Sequence, residues 1–174
     1  MYNKFFIDLE EAKPYEMLAA DIFDGIYYES DKNDEGIDVI VGDMLIDVKA
    51  LRRPFIQKRD ENYHYKDLLV EVGNGRGGSG WLNNESKKTT HYLFFTDCWG
   101  DGNVDWYNYF LVSREDLLEY YKNNRETLKP GSIKNGYTTT VKVPISEIEN
   151  IIITRGHNDN YVGWKRWEIK KVSH

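Results

Sequence analysis

The spacing of apolar positions along the chain predicts a short series of elements. Residues 14–24 read as a helix, because Tyr15, Leu18, Ala19 and Ile22 fall on one face at helical spacing. Pro14 suits a first helical position, where its missing N–H would have no partner anyway, and Gly25 reads as a stop. An earlier start capped by Asp8 and Glu11 would put Pro14 inside the helix and kink it. Residues 37–41 (IDVIV) and 44–50 (MLIDVKA) read as two strands. Gly42-Asp43 joins them as a two-residue loop with Gly first, which favours a type II′ hairpin turn. Residues 68–72 (LLVEV) read as a third strand. A glycine-rich stretch from Gly73 to Gly80 follows, then a short helix over 83–90 and a buried strand over 91–96 (HYLFFT).

Beyond Cys98-Trp99 a strand is expected at 107–112 and a helix at about 114–124. Ser113 is its cap, with Asp116 completing a capping box. Strands near 137–143 and 150–154 follow, with Ser146 opening a helical turn between them. This order predicts an α/β or α+β domain, a central mixed sheet flanked by helices. Residues 1–98 are read as its core, and residues 99–174 as a C-terminal β/α extension packed on the same domain.

Composition narrows the class. The 174 residues are 40% hydrophobic and 30% charged, the balance of a folded globule. No apolar run approaches the roughly 20 residues that span a bilayer. The opening stretch, MYNKFFIDLEEAKPYEM, is too acidic and its apolar part too short for a signal peptide. The single cysteine, Cys98, leaves no internal disulfide framework and no Cys-based zinc cluster. A cytoplasmic protein without a membrane partner is the expectation. The net charge of −6 does not favour phosphate contact, but the basic residues are clustered: Arg52, Arg53, Lys58 and Arg59; Lys87 and Lys88; Lys165, Arg166, Lys170 and Lys171.

The hairpin carries the candidate chemistry. With Gly42-Asp43 as the loop, Val41 pairs with Met44, Ile40 with Leu45, Val39 with Ile46 and Asp38 with Asp47. The two aspartates are then opposite one another on one face, about 4.5–5.5 Å apart at Cβ. Lys49 shares that face, because side chains alternate along a strand. Asp-x-Lys is a common tripeptide, and a salt-bridged surface hairpin is the bland alternative. The second aspartate and the apolar neighbours Ile37, Val39, Ile46 and Val48 raise this case above it. Paired anions among apolar residues need a cation. Lys49 supplies one charge and a divalent ion the rest. Oxygen ligands without Cys or a spaced His pair favour Mg²⁺, with Mn²⁺ as a substitute. Such an ion polarises a phosphoryl oxygen and acidifies a water, and Lys49 orients that water or offsets charge on the phosphate.

Glu16 on the first helix, Gly36-Ile37-Asp38 and Asp47-Val48-Lys49 together resemble the PD-(D/E)XK nuclease superfamily, which includes restriction enzymes, Holliday-junction resolvases and phage exonucleases. The likeness covers about residues 14–96. Ile37 stands where the name has proline, and Asp47 where glutamate is commoner. The resemblance implies a restriction-endonuclease-like core of helix, three-stranded meander, helix and strand. It implies that Asp38 and Asp47 bind metal, that the Val48 carbonyl adds a ligand, that Lys49 assists the attacking water, and that Glu16 is the first-helix acid. Glu11 is the rival for that last place.

Other residues are weighed as substrate contacts. Glu71 lies in an apolar strand, so it must be paired, protonated or metal-bound, with Arg76 or Lys66 as ordinary partners. Arg76 sits in the glycine-rich loop, which lacks the Gly-Lys-Ser/Thr ending of a phosphate-binding loop. Lys87 and Lys88 are placed on a solvated helix face, and the basic run from Arg52 to Arg59 leaves the Lys49 strand directly. The 13 tyrosines and five tryptophans are stacking candidates, though most such residues are core. The expected activity is that of a phosphodiester-cleaving nuclease, most simply an endodeoxyribonuclease of phage or bacterial recombination, repair or restriction. DNA is its partner, and a homodimer is an option by family analogy. The alternative is a non-catalytic nucleic-acid-binding or protein-interaction module on the same scaffold.

Overall fold

The computed structural model describes residues 4–29, 35–52, 66–74, 78–99, 106–131 and 138–159. In chain order these form α1 (Lys4–Phe23), β1 (Ile26–Tyr27), β2 (Val39–Val41), β3 (Met44–Arg52), β4 (Asp67–Asn74), β5 (His91–Trp99), β6 (Trp106–Ser113), α2 (Arg114–Asn124), β7 (Lys129–Pro130) and β8 (Thr138–Pro144). Two 3₁₀ turns (Ile145–Glu147, Glu149–Ile151) then lead into β9 (Ile152–Asp159). The fold is mixed α/β. A six-stranded sheet has the order β1-β2-β3-β5-β6-β9, and a three-stranded sheet the order β4-β8-β7. The larger sheet is mixed, because β3 and β5 run parallel while its other neighbours are antiparallel.

Each face of the large sheet buries its own core. On one face Tyr15 and Ala19 of α1 pack with Val39, Ile46, Leu93, Phe95 and Leu111. On the other, Leu68, Val70 and Val143 of the small sheet and Leu117 of α2 pack with Tyr92, Phe94, Phe110 and Val112. The alternation along β5 makes this possible: Tyr92 and Phe94 point one way, Leu93 and Phe95 the other. β6 and β9, from the second half of the chain, complete the sheet that holds β3.

Several expectations are corrected. Helix α1 starts at Lys4 and carries Pro14 within it, rather than starting at Pro14. The preceding residues include strong helix formers (Leu, Glu, Ala, Lys), and proline forfeits one donor without stopping them. At the other end Asp24 takes the left-handed conformation (φ 50°), and the Gly25 N–H closes on the Ala20 carbonyl at 2.8 Å. This is a Schellman-type ending with Asp, not Gly25, in the left-handed place. β4 does not continue a meander from β3. It pairs with β8 in the smaller sheet, and β5 occupies the place beside β3. No helix forms over 83–90. Asn84 instead accepts from the Ser86 N–H (3.0 Å) and hydroxyl (2.7 Å), a local turn that competes with a helix. Among the described residues no helix is long and apolar enough to cross a membrane.

The expected register of the β2–β3 hairpin is found: Val41 with Met44, Ile40 with Leu45, Val39 with Ile46. Gly42 has φ 56°, and Asp43 does not share that positive φ, as a type II′ turn requires. Gly36 also lies in the left-handed region (φ 70°), but its surroundings differ. A Cβ on Gly42 would meet nothing within 4 Å, whereas one on Gly36 would meet Lys87 at 2.8 Å and Thr89 at 2.9 Å. Gly42→Ala is therefore expected to cost only the backbone strain, roughly 1–2 kcal/mol. Gly36→Ala is expected to cost clearly more, as read by urea denaturation. Equal losses would show that the packing around Gly36 gives way freely.

Candidate functional site

β3 places the central residues. Ile46 points into the core under α1, while Asp47 and Lys49 share the opposite face with their β5 neighbours Tyr92 and Phe94. Asp47 is 5% exposed, and its Oδ1 lies 2.6 Å from the Lys49 ammonium, which keeps partial access to solvent. The Lys49 Nζ also stands 5.3 Å from the centroid of the Trp81 ring. That ring packs against Tyr92 at 4.6 Å.

Asp38 is placed differently from the sequence expectation. It is not paired with Asp47. The ladder ends at Val39 with Ile46, and the Asp38 N–H also bonds the Ile46 carbonyl at 2.8 Å, a bulge-like step. The Asp38 carboxylate turns onto β3 instead, where Oδ2 accepts the Val48 N–H at 2.7 Å. The physical reason is twofold: directly opposed carboxylates repel, and past Ile46 the edge of β3 has no strand partner among the described residues. The carboxylate takes over that partner's role. Asp38 is 7% exposed, so the expectation that the acid pair is not freely solvated is met. Within a strand the N–H and C=O of one residue face the same edge, so the Val48 carbonyl is directed to the side Asp38 occupies.

Glu16 projects from α1, which packs on β2 and β3. Burial raises its carboxyl above the ordinary range, a hydrogen bond from Tyr27 opposes that rise, and the Asp47 charge adds to it. The Tyr27 phenol is itself raised, by burial first and then by Glu16. Glu11 belongs to the same helix, but its side chain lies outside the described residues. Glu71 sits on β4, in the smaller sheet. Burial raises its carboxyl and the Lys49 charge lowers it, so the two groups share an electrostatic neighbourhood across the two sheets. Asp38 is pushed up to about 7, by burial first and by the Asp47 charge second, against the pull of the Val48 N–H. Burial alone would lower the Lys49 ammonium. The charges of Asp47, Asp38 and Glu71 outweigh it and hold the group above its usual value.

The site therefore gathers Asp38, Asp47, Lys49 and Glu16, with Glu71 nearby. Among the described residues no three His, Cys, Asp or Glu side chains converge closely enough to cradle a metal ion by themselves. Lys88 is exposed in a stretch without regular structure and paired with Glu35 at 2.6 Å, and the Lys87 carbonyl accepts from Arg114. Neither lies on a helix face. The backbone of Arg52 closes β3, while its side chain and all of Arg53, Lys58, Arg59, Arg76, Lys165, Arg166, Lys170 and Lys171 fall outside the described residues. Trp81, Tyr27 and Tyr92 join the site without a local sign in the sequence. A lone aromatic after a glycine-rich run gives no signal of which charge it will face. No family model, curated protein or solved structure matches this chain.

Because the folded Asp38 binds its proton more tightly than the unfolded chain does, its contribution to stability is complete below the ordinary value of 3.8 and is lost as pH rises towards about 7. In chelator, the wild type should lose stability relative to Asp38→Asn across that window, by up to roughly 1.4 kcal/mol per pH unit. The asparagine keeps an acceptor for Val48 and removes the charge. Urea denaturation at several pH values reads the difference, and parallel profiles would refute it.

Proposed function

We propose that this chain is a metal-dependent phosphodiesterase acting on nucleic acid, most simply an endodeoxyribonuclease, with Asp38, Asp47 and Lys49 at its centre. One observation carries the reading. Asp38 and Asp47, two nearly buried carboxylates, lie together at β3, Asp47 ion-paired to Lys49 and Glu16 within electrostatic reach. Carboxylates gathered in so shielded a place are ready oxygen ligands for a cation.

The donor set fits a hard divalent ion. It contains oxygen only, from Asp38, Asp47 and the Val48 carbonyl, with Glu16 in reserve. Mg²⁺ in particular is commonly held by one or two carboxylates, its remaining positions taken by water and substrate phosphate. Two carboxylates rather than three are therefore sufficient. When bound, such an ion polarises a phosphoryl oxygen and acidifies water. Asp47 holds the Lys49 ammonium in place, and Lys49 offsets charge developing on the phosphate. Burial of Asp38 and Asp47 keeps bulk water from competing for their oxygens. The resemblance to PD-(D/E)XK nucleases points the same way, and it alone supports a DNA partner or a dimer.

A second reading, a non-catalytic nucleic-acid-binding or protein-interaction module, is favoured by one feature. The 2.6 Å contact between Lys49 and Asp47 already neutralises one of the two acids. The two readings part on a cleavage assay. With Mg²⁺ or Mn²⁺, the wild type should cut plasmid, linear or branched DNA. Asp47→Asn and Lys49→Ala should each lower the rate by roughly 10²–10⁴-fold with the circular dichroism spectrum unchanged. Cutting that survives in chelator or in both variants would sink the proposal.

A further inference from the structure

Residues 78–90, between β4 and β5, have little regular structure and yet touch the site at two places. At one end Trp81 faces the Lys49 ammonium. At the other, the Thr89 hydroxyl donates to the Gly36 carbonyl at 2.5 Å, and the Lys88 N–H donates to the Glu35 carbonyl at 2.9 Å. Gly36 is two residues from Asp38. The Lys88–Glu35 ion pair lies on the surface and adds little to this attachment. Thr89 is 3% exposed, so its bond is the one shielded from water.

What holds the middle of this segment comes from the far half of the chain. Arg114, the first residue of α2, donates to three of its carbonyls: Nη1 to Lys87 at 2.9 Å, Nη2 to Asn84 at 2.6 Å, and Nε and Nη2 to Leu82 at 3.4 and 3.3 Å. Only a guanidinium presents donors in a fixed fork wide enough for three acceptors, and a lysine ammonium cannot reproduce it. Arg114 is itself fixed, since its N–H bonds the Thr90 carbonyl at 2.8 Å and Ser113 caps α2 through the Asp116 N–H at 3.0 Å.

We propose that Arg114 is a positioning residue for the Asp38–Asp47–Lys49 site. It braces the 81–90 segment so that Trp81 is held against Lys49 and Gly36 is held where Asp38 reaches β3. For its consequence on catalysis this rests on the phosphodiesterase reading; for its geometry it does not. The geometric reporter is the Val48 amide, whose N–H is bonded by Asp38. The amide of Leu111, in the middle of β6, reports the stability of the sheet as a whole.

Hydrogen exchange should show that Arg114→Lys lowers protection of Val48 by about tenfold while Leu111 stays within about twofold. Thr89→Val, which cuts the far attachment at nearly constant volume, should do the same. If Leu111 loses protection in step with Val48, Arg114 serves general stability and the proposal fails. If the 81–90 amides exchange freely while Val48 is unchanged, the brace does not reach the site and the proposal fails equally. With cleavable DNA, Arg114→Lys should lower kcat by roughly 10–100-fold with KM within about twofold, the pattern of misplaced groups rather than lost binding. A wild type that cuts nothing would overturn the phosphodiesterase reading alone, and the Val48 comparison would still decide the brace.

Discussion

The site depends on how β3 satisfies its edge once β2 has left it. Past Ile46 no strand among the described residues pairs with that side, and an unbonded N–H at the partly buried Val48 would be costly. The Asp38 carboxylate accepts that bond at 2.7 Å. The consequence is an acid anchored beside Asp47, shielded from water, and raised by burial and by its neighbour's charge. Lys49 is ion-paired to Asp47, and a divalent ion is proposed to bind beside the pair.

The remainder of the fold supports this edge. Two cores grip opposite faces of the large sheet, so the strand carrying Asp47 and Lys49 is held from both sides. The hairpin turn at Gly42 fixes the register of β2 against β3. The small sheet brings Glu71 into the electrostatic reach of Lys49, and α1 brings Glu16. The second half of the chain is not a separate appendage in this arrangement, because α2 begins with the arginine whose guanidinium holds the Leu82, Asn84 and Lys87 carbonyls.

The hairpin was legible in the sequence because two local rules fix it: a two-residue loop sets the register, and a period of two sets the faces. Asp47 and Lys49 therefore lie on one face as expected. Helix α2 was legible for the same kind of reason, since Ser113 and Asp116 form a local cap. Asp38 is buried as expected but turns onto β3 instead of pairing with Asp47, because its bulge answers an edge that local pattern does not reveal. The β4 segment was recognised as a strand, but propensity does not choose a partner, and β8 lies some seventy positions away. The 83–90 segment forms no helix: Asn84 makes a local turn with Ser86, and the Asn84 and Lys87 carbonyls bond Arg114, about thirty positions distant. Pro14 does not start the helix, because the residues before it favour helix strongly enough to carry α1 through it.

The central claim is that Asp38, Asp47 and the Val48 carbonyl hold a divalent cation. Titration with Mn²⁺, followed by paramagnetic broadening of backbone amide resonances, tests it without reference to any substrate. The account predicts broadening centred on Asp38, Asp47 and Val48, competed away by Mg²⁺ and absent in Asp47→Asn. Broadening centred elsewhere, or none at all, would contradict it.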